Sequence, residues 1–506
     1  MGDLSVRLSQ LSPEARIIFE SRLAARANRP TVLGIPRRAS GDAIRLSFSQ
    51  RRIWYLEQLN PGTATYNAPY AFRGQGKIDL DAFCRAVNLV VERHIVLRTK
   101  IGVSQTGEPI CQVVLKWNAV EVHRMTLSGE LAEQEAVSLV EVSAQKCFNI
   151  SCDPMLRVDV ALISDVDFII LLTAHHIAWD GVSKGVVFRE LGIIYDAIIS
   201  GKESDLPPLR VEYADYALWQ QRSFSGVKRD TEVAYWKRQL TGAPPYIDIP
   251  LDKPRPAVQR FHGAKIAFTL PDKLLKAAEA FGRAEKTTMY ATLLAAFKVF
   301  LLAFTGQVDI CIATPFAGRG EPETQDVVGF FTNTVILRTC LDAKCSFREI
   351  LARVRNSVLD AQDHQSMPMD QLMEVLQPPR DLSRMPLAQV NFRLQGGKPP
   401  ELKLRGLKLT QMSLIDTLIS KFDMALEVGS AETEPGYVEY NTDLFTHERM
   451  SHIPGAYEAL LEQLIASPDA SVGQLAAFGV SGTLSPKRRR IALASCNPKI
   501  ESRDHA

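Results

Sequence analysis

Along the chain, an unbroken apolar run gives way to a helical period around residue 180. Residues 167–173 (DFIILLT) are apolar enough for a buried strand, and Val187, Leu191, Ile194 and Ile198 then recur at the spacing of one helical face. A strand-to-helix turn is predicted between them. Upstream, DLDAFCRAVNLVVERH (79–94) opens on a capping aspartate and spaces Leu80, Phe83, Val87 and Val90 as a core-facing helix, with LRTKI behind it as a strand. Further on, MYATLLAAFKVFLLAF (289–304) reads as a buried helix and VDICIATPF (308–316) as a buried strand.

Strand and helix patterns alternate to about residue 220, which predicts an α/β (α+β) first lobe over 41–220. A polar, proline-bearing span, 221–262, reads as a connection to a second lobe over 263–480. Ahead of both, residues 1–40 hold a helix-like segment, SPEARIIFESRLAARA, and a linker rich in proline and glycine; residues 481–506 read as a tail. With 506 residues and 46% hydrophobic side chains the chain exceeds a usual single domain, so two cores are expected.

Charge narrows the function classes. Lys and Arg number 59 against 57 Asp and Glu, a net +2 that gives no drive toward nucleic acid or an anionic membrane. The basic run KRRR (487–490) reads as a solvated tail. Eight scattered cysteines show neither metal-ligand spacing nor the density of a disulfide framework, so reduced thiols and no metal site are expected. No signal-peptide core opens the chain, and the most apolar stretch spans 16 residues with Lys298 inside it, so a cytoplasmic protein is expected.

The candidate chemistry lies on the predicted turn, where HHIAWDG (175–181) follows the buried strand. An imidazole at a strand end, next to a glycine that lets backbone N–H groups reach a substrate oxygen, is suited to a transfer reaction. His176 is the candidate base or positioning group and Gly181 the candidate for backbone access; His175 reads as structural support. Asp180, four residues after His176, reads either as an orienter of the imidazole or as a core-facing carboxylate. Asn333 and Thr334 in GFFTNT follow a bulky apolar cluster and read either as a channel wall or as a capped strand edge.

Over residues 40–480 the chain resembles the condensation domain of non-ribosomal peptide synthetases. LSFSQRRIWYLEQL (46–59), ERHIVLRT (92–99), AHHIAWDGVS (174–183), YADYALWQ (213–220), VGFFTNTVILR (328–338), HQSMPMDQL (364–372) and RDLSRMPL (380–387) resemble that family's motifs in order. TPFAGR (314–319) is familiar as well. The resemblance implies two chloramphenicol-acetyltransferase-like lobes in a V, with the active site at their junction. It implies a donor acyl or peptidyl thioester condensing with the amine of an aminoacyl acceptor. Both would ride on phosphopantetheine arms of carrier proteins, with no cofactor bound by the domain itself.

Donor and acceptor carriers are the implied partners, with an adjacent adenylation domain; neither nucleic acid nor membrane is implied, and a monomer is expected. The resemblance also implies that Asp180 forms an internal ion pair with an arginine, for which Arg93 and Arg98 are the candidates. Trp179 stands where the family often has a smaller residue, which makes it a candidate substrate-channel residue, and Val182 replaces a frequent tryptophan. Two further readings stay open: a stand-alone O-acyltransferase forming an ester, and a non-catalytic recruitment domain, although the latter would be free to lose the histidines present here.

Overall fold

The periodicities resolve into strands and helices whose first half centres on one sheet. In chain order these are α1 (Phe48–Leu59), β1 (Asn67–Gln75), α2 (Leu80–Arg93), β2 (Thr99–Val103), β3 (Pro109–Val113), β4 (Val122–Thr126), α3 (Ala132–Gln145), β5 (Leu156–Ser164), β6 (Asp167–His175), α4 (Gly181–Ile199), α5 (Tyr213–Ser223) and α6 (Gly226–Leu240). The second half adds β7 (Gly263–Phe268), α7 (Asp272–Ala284), α8 (Met289–Thr305), β8 (Asp309–Phe316), β9 (Asn333–Cys340), α9 (Phe347–Asp363), α10 (Met369–Leu376) and β10 (Val390–Leu394). It closes with β11 (Lys408–Gln411), β12 (Met424–Val428), β13 (Gly436–Asn441), α11 (His447–Ser451), α12 (Ile453–Ala466) and α13 (Val472–Gly479). This computed structural model describes residues 34–39, 42, 44–104, 107, 109–113, 120–395, 400–412, 415, 417–429 and 435–479. The helix-like segment of 1–40 and the KRRR tail lie outside the described residues.

Two large sheets organise the molecule. One runs β11-β1-β6-β5-β4 and the other β7-β13-β12-β10-β8-β9, while β2 and β3 form a separate ribbon. The run 167–173 is unbroken in hydrophobicity because β6 is covered on both faces. Phe168, Ile170 and Leu172 point into one core with α2 and α4, and Ile169 and Leu171 point the other way onto Ala136, Val140 and Ala144 of α3. In the second half, α8 is buried almost all round, so its apolar surface has no solvent face. Lys298 sits inside it with Nζ donating to Leu337 O at 2.7 Å and to Thr339 Oγ1 at 2.9 Å. Those acceptors replace the lost water, and burial still pushes the ammonium down to about 7.

Several boundaries differ from the sequence reading. The span 221–262 is no simple connection: α6 carries Tyr235, Trp236 and Leu240 into the larger core. Its polar residues mark the helix's exposed face, which composition alone reads as a linker. The halves also exchange segments. Strand β11 pairs with β1 in the first sheet, and Val327, Val328, Phe331, Leu402 and Leu404 pack into the first core. LRTKI is a strand only from Thr99, because Ile95–Arg98 form a 3-10 turn. Cys340 is disulfide-bonded, against the expectation of a reduced thiol, since spacing along a chain does not reveal a distant partner; Cys84, Cys111, Cys147, Cys152, Cys311 and Cys345 are free. Among the described residues no single helix is long and apolar enough to cross a membrane.

Candidate active site

Strand β6 ends at His175, whose N–H donates to Met155 O at 3.0 Å, and His176 begins a 3-10 turn with its N–H on Tyr66 O at 2.8 Å. The two rings are held in opposite tautomers. His175 Nδ1 accepts from the Ile177 N–H at 3.3 Å, so its proton is on Nε2, facing Glu57 Oε1 at 3.4 Å. His176 Nδ1 lies 3.1 Å from Trp179 O, and a carbonyl can only accept, so Nδ1 carries the proton and Nε2 the free lone pair. His175 is buried; His176 keeps an accessible edge although protein encloses it, with the Phe330 ring 6.0 Å away.

Helix α1 clamps this turn from behind. Gln50 Nε2 donates to Ile177 O at 2.9 Å, and Gln50 is itself fixed by a capping box with Ser47. Ser47 Oγ in turn lies 2.7 Å from Tyr213 Oη, which donates to Phe330 O at 2.6 Å. Both the imidazole and the segment opposite it therefore hang on one chain of buried hydrogen bonds. Burial first, and then the Lys421 ammonium, pushes His176 down to about 3, so the ring is neutral at physiological pH.

Asp180 does not orient His176. It caps α4 by accepting from the Ser183 N–H at 2.8 Å, and it also accepts from Ser183 Oγ at 2.8 Å, Arg319 Nη2 at 2.9 Å and the Phe331 N–H at 3.1 Å. The arginine partner is thus Arg319, which corrects the expectation of Arg93 or Arg98. Arg93, at the end of α2, meets Glu190 on α4 at 3.1 Å instead, and Arg98 Nη2 donates to Glu92 O at 3.3 Å. Sequence nearness to the second motif was the wrong guide. Arg319 closes TPFAGR, whose likeness to the family carried the missed signal.

Trp179 is also corrected. Its side chain is fully buried in the first core with Tyr70 6.1 Å away, because the extended backbone at Trp179 turns the indole inward while His176 turns outward. Asn333 commits its amide to Gln365 O at 3.0 Å and Met367 O at 2.6 Å, and Thr334 stands opposite Pro315 in the β8–β9 pair. Asn333 thus ties the start of β9 to the segment ahead of α10, and both residues stay partly exposed. Gly181 opens α4 with nothing within 4 Å of where a Cβ would stand, so free space lies in front of the turn. Composition and spacing gave no sign of Tyr66, Lys421, Phe330 or Arg393, which reach the site through tertiary packing. A cavity of about 460 Å³ lined by Arg37, Glu92, Arg93 and Glu212 lies among residues that form no part of this site.

The fold is a two-sheet α/β architecture with a histidine-bearing turn at the end of β6, and comparison with known proteins gives its family. The family model for the condensation domain matches residues 40–479, so the chain belongs to the condensation-domain family. It is 37% identical over 437 residues to one component of the linear gramicidin synthase of Brevibacillus parabrevis, covering 85% of this chain and 6% of that protein. It is 34% identical to phosphinothricin tripeptide synthetase PhsC of Streptomyces viridochromogenes, covering 92% of this chain and 43% of that one. The chain therefore spans only a fraction of these relatives' length. Among solved structures it superposes on the X-domain from teicoplanin biosynthesis with a TM-score of 0.77 at 24% identity, covering 87% and 98% of the two chains. The first condensation domain of the calcium-dependent antibiotic synthetase, in complex with a substrate analogue, gives 0.72 at 18% identity, covering 86% and 99%. The mixed α/β architecture read from the sequence is the one these structures share.

Proposed function

We propose that this protein is an acyltransferase that forms an amide. A carrier-bound acyl or peptidyl thioester is the donor, and the amine of a carrier-bound aminoacyl thioester is the acceptor. The observation that carries the reading is the tautomer of His176: Nδ1–H is tied to Trp179 O, leaving a neutral Nε2 facing accessible space. An amine attacking a thioester needs such an acceptor for its proton and a fixed partner to aim it. The C–N bond forms, the carbonyl becomes an oxyanion, and on collapse the C–S bond breaks and the thiolate leaves, taking up the proton that the amine lost to Nε2.

Both substrates would arrive on phosphopantetheine arms of carrier proteins. The free space in front of Gly181 supports a meeting point there. Carrier domains and an adenylation domain are the proposed partners, in the cytoplasm, as in a modular synthetase. The test loads donor and acceptor carriers with a panel of acyl and aminoacyl groups, mixes them with the protein, and follows the acceptor arm by intact mass spectrometry. Transfer of the donor mass to the acceptor, absent with His176→Ala, is the expected result; no transfer with any pair would overturn the reading.

A further inference from the structure

Lys421 brings to the site a charge that the protein leaves without a counter-ion. Its half-buried ammonium makes no hydrogen bond and no salt bridge among the described residues, and rests 4.6 Å from the centroid of the Tyr66 ring. Tyr66 is the residue whose carbonyl holds the His176 N–H, and its ring packs 6.2 Å from that of His175. A side chain just ahead of β12, in the second sheet, thus lays a cation on the anchor of the reacting histidine in the first.

The two carboxylates nearest Lys421 are held by another cation. Arg393 on β10 meets Glu427 at 3.1 Å and Glu439 at 3.9 Å. Lys265 on β7 stands opposite Glu439 in the β13–β7 register and over Tyr437 at 5.1 Å. Arg52 on α1 faces Tyr66 and Asp370. Burial pushes Lys421 down to about 8, with Glu439 opposing and Arg393, Lys265 and Arg52 adding to the fall. Holding an unpaired ammonium there costs free energy that is recovered when an anion forms beside it.

The proposed condensation starts from a neutral amine and a neutral thioester, so the anion it creates at this place is its own tetrahedral intermediate. We propose that Lys421, acting from the second sheet across Tyr66, stabilises the oxyanion formed when the acceptor amine adds to the donor thioester. This rests on the condensation reading above. The carbonyl π pair moves to oxygen as the C–N bond forms, Lys421 balances that charge, and the pair returns as the C–S bond breaks; Lys421 keeps its proton throughout.

The test uses acyl-aminoacyl and aminoacyl thioesters of pantetheine as soluble donors and acceptors. Lys421→Met is expected to lower kcat by roughly a hundredfold, the scale of losing one oxyanion donor, with KM for both thioesters unchanged and circular dichroism as in the wild type. Lys421→Arg should restore most of kcat. Because the lysine loses its charge as pH rises through about 8, wild-type kcat should fall on the alkaline side, and the arginine variant, still charged, should not. Wild-type kcat in Lys421→Met, a change confined to KM, or the same alkaline fall in Lys421→Arg each overturns the assignment. If the wild type itself forms no product, the condensation reading falls; if only His176→Ala is inactive, Lys421 alone is removed.

Discussion

Arg319 and Asp180 join the two halves of the molecule through one buried ion pair, with Nη2 2.9 Å from Oδ1 and the side chains 3% and 1% exposed. The guanidinium also donates to Thr324 O and, at 2.7 Å, to Val327 O, and it stacks 4.0 Å over the Phe331 ring. The carboxylate caps α4 directly after the HHIAWDG turn. A pair whose carboxylate and both terminal guanidinium nitrogens are engaged, with only the arginine Nε left without a partner, is a folding element, and its place beside the chemistry positions the turn.

Breaking it from either side should therefore damage the fold before the reaction. Asp180→Asn and Arg319→Met each leave an uncompensated buried charge or polar network, a loss of about 3–5 kcal/mol when one partner of a buried pair is removed. Denaturant unfolding of the two single variants and the double variant measures this. The double variant should lose less than the sum of the singles; full additivity would show that the pair does not couple.

His176→Ala should do the reverse. The ring makes one hydrogen bond to a carbonyl and keeps an accessible edge, so its loss removes little packing. Loss of proton handling and aim is expected to lower single-turnover condensation by roughly a hundredfold to ten-thousandfold. The melting temperature should stay close to that of the wild type. A near-normal rate in the folded variant would contradict the role given to Nε2.

The turn was readable from sequence because it is local: an apolar run, two histidines, a capping aspartate and a glycine in contiguous residues. Helix α8 and strand β8 were readable for the same reason, since burial on all sides removes polar positions from the run. What could not be read was who meets whom across the chain. Arg319 lies 139 residues from Asp180 and Lys421 enters from the far half, so no spacing rule connects them. Arg93 failed as a partner because its helix delivers it to Glu190, more than two turns along α4 from the capping Asp180. Trp179 failed as a channel residue because one extended residue between turn and helix reverses the side-chain direction.

Acid should act on stability sooner than on His176 as a base. The folded ring is held down to about 3, whereas in the unfolded chain it titrates near about 6.5. The unfolded state thus binds the proton first, and the stability contributed by a neutral His176 is lost as pH falls below about 6.5. Melting temperatures of the wild type and His176→Ala, close at neutral pH, should accordingly separate on acidification through that range, with the wild type falling below the variant. The acid limb of kcat/KM should instead follow the acceptor's ammonium, near about 7.7–8.0 for a free α-amine, and move when a less basic acceptor is used. A limb fixed near 6.5 for every acceptor would mean that the imidazole titrates normally.

Gly181 and Gly329 should separate blocking of the site from disruption of the fold. At Gly181, which has no positive φ, an added Cβ meets nothing within 4 Å. At Gly329 the Cβ would stand 1.9 Å from the Tyr213 ring, whose hydroxyl holds Phe330 O, and Gly329 also exchanges hydrogen bonds with Ser183. Gly329→Ala is therefore expected to cost about 1–3 kcal/mol through overpacking, measured by denaturant unfolding. Gly181→Ala should match the wild type in stability, since a residue at the first helical turn gains helix propensity and meets no neighbour. Gly181→Leu should stay folded and monodisperse yet yield no condensed product, because its side chain occupies the space where two arms must approach within about 3–3.5 Å. Carrier binding, measured separately by calorimetry, should be unaffected in that variant. Product formation at the wild-type rate by Gly181→Leu would show that the substrates meet elsewhere.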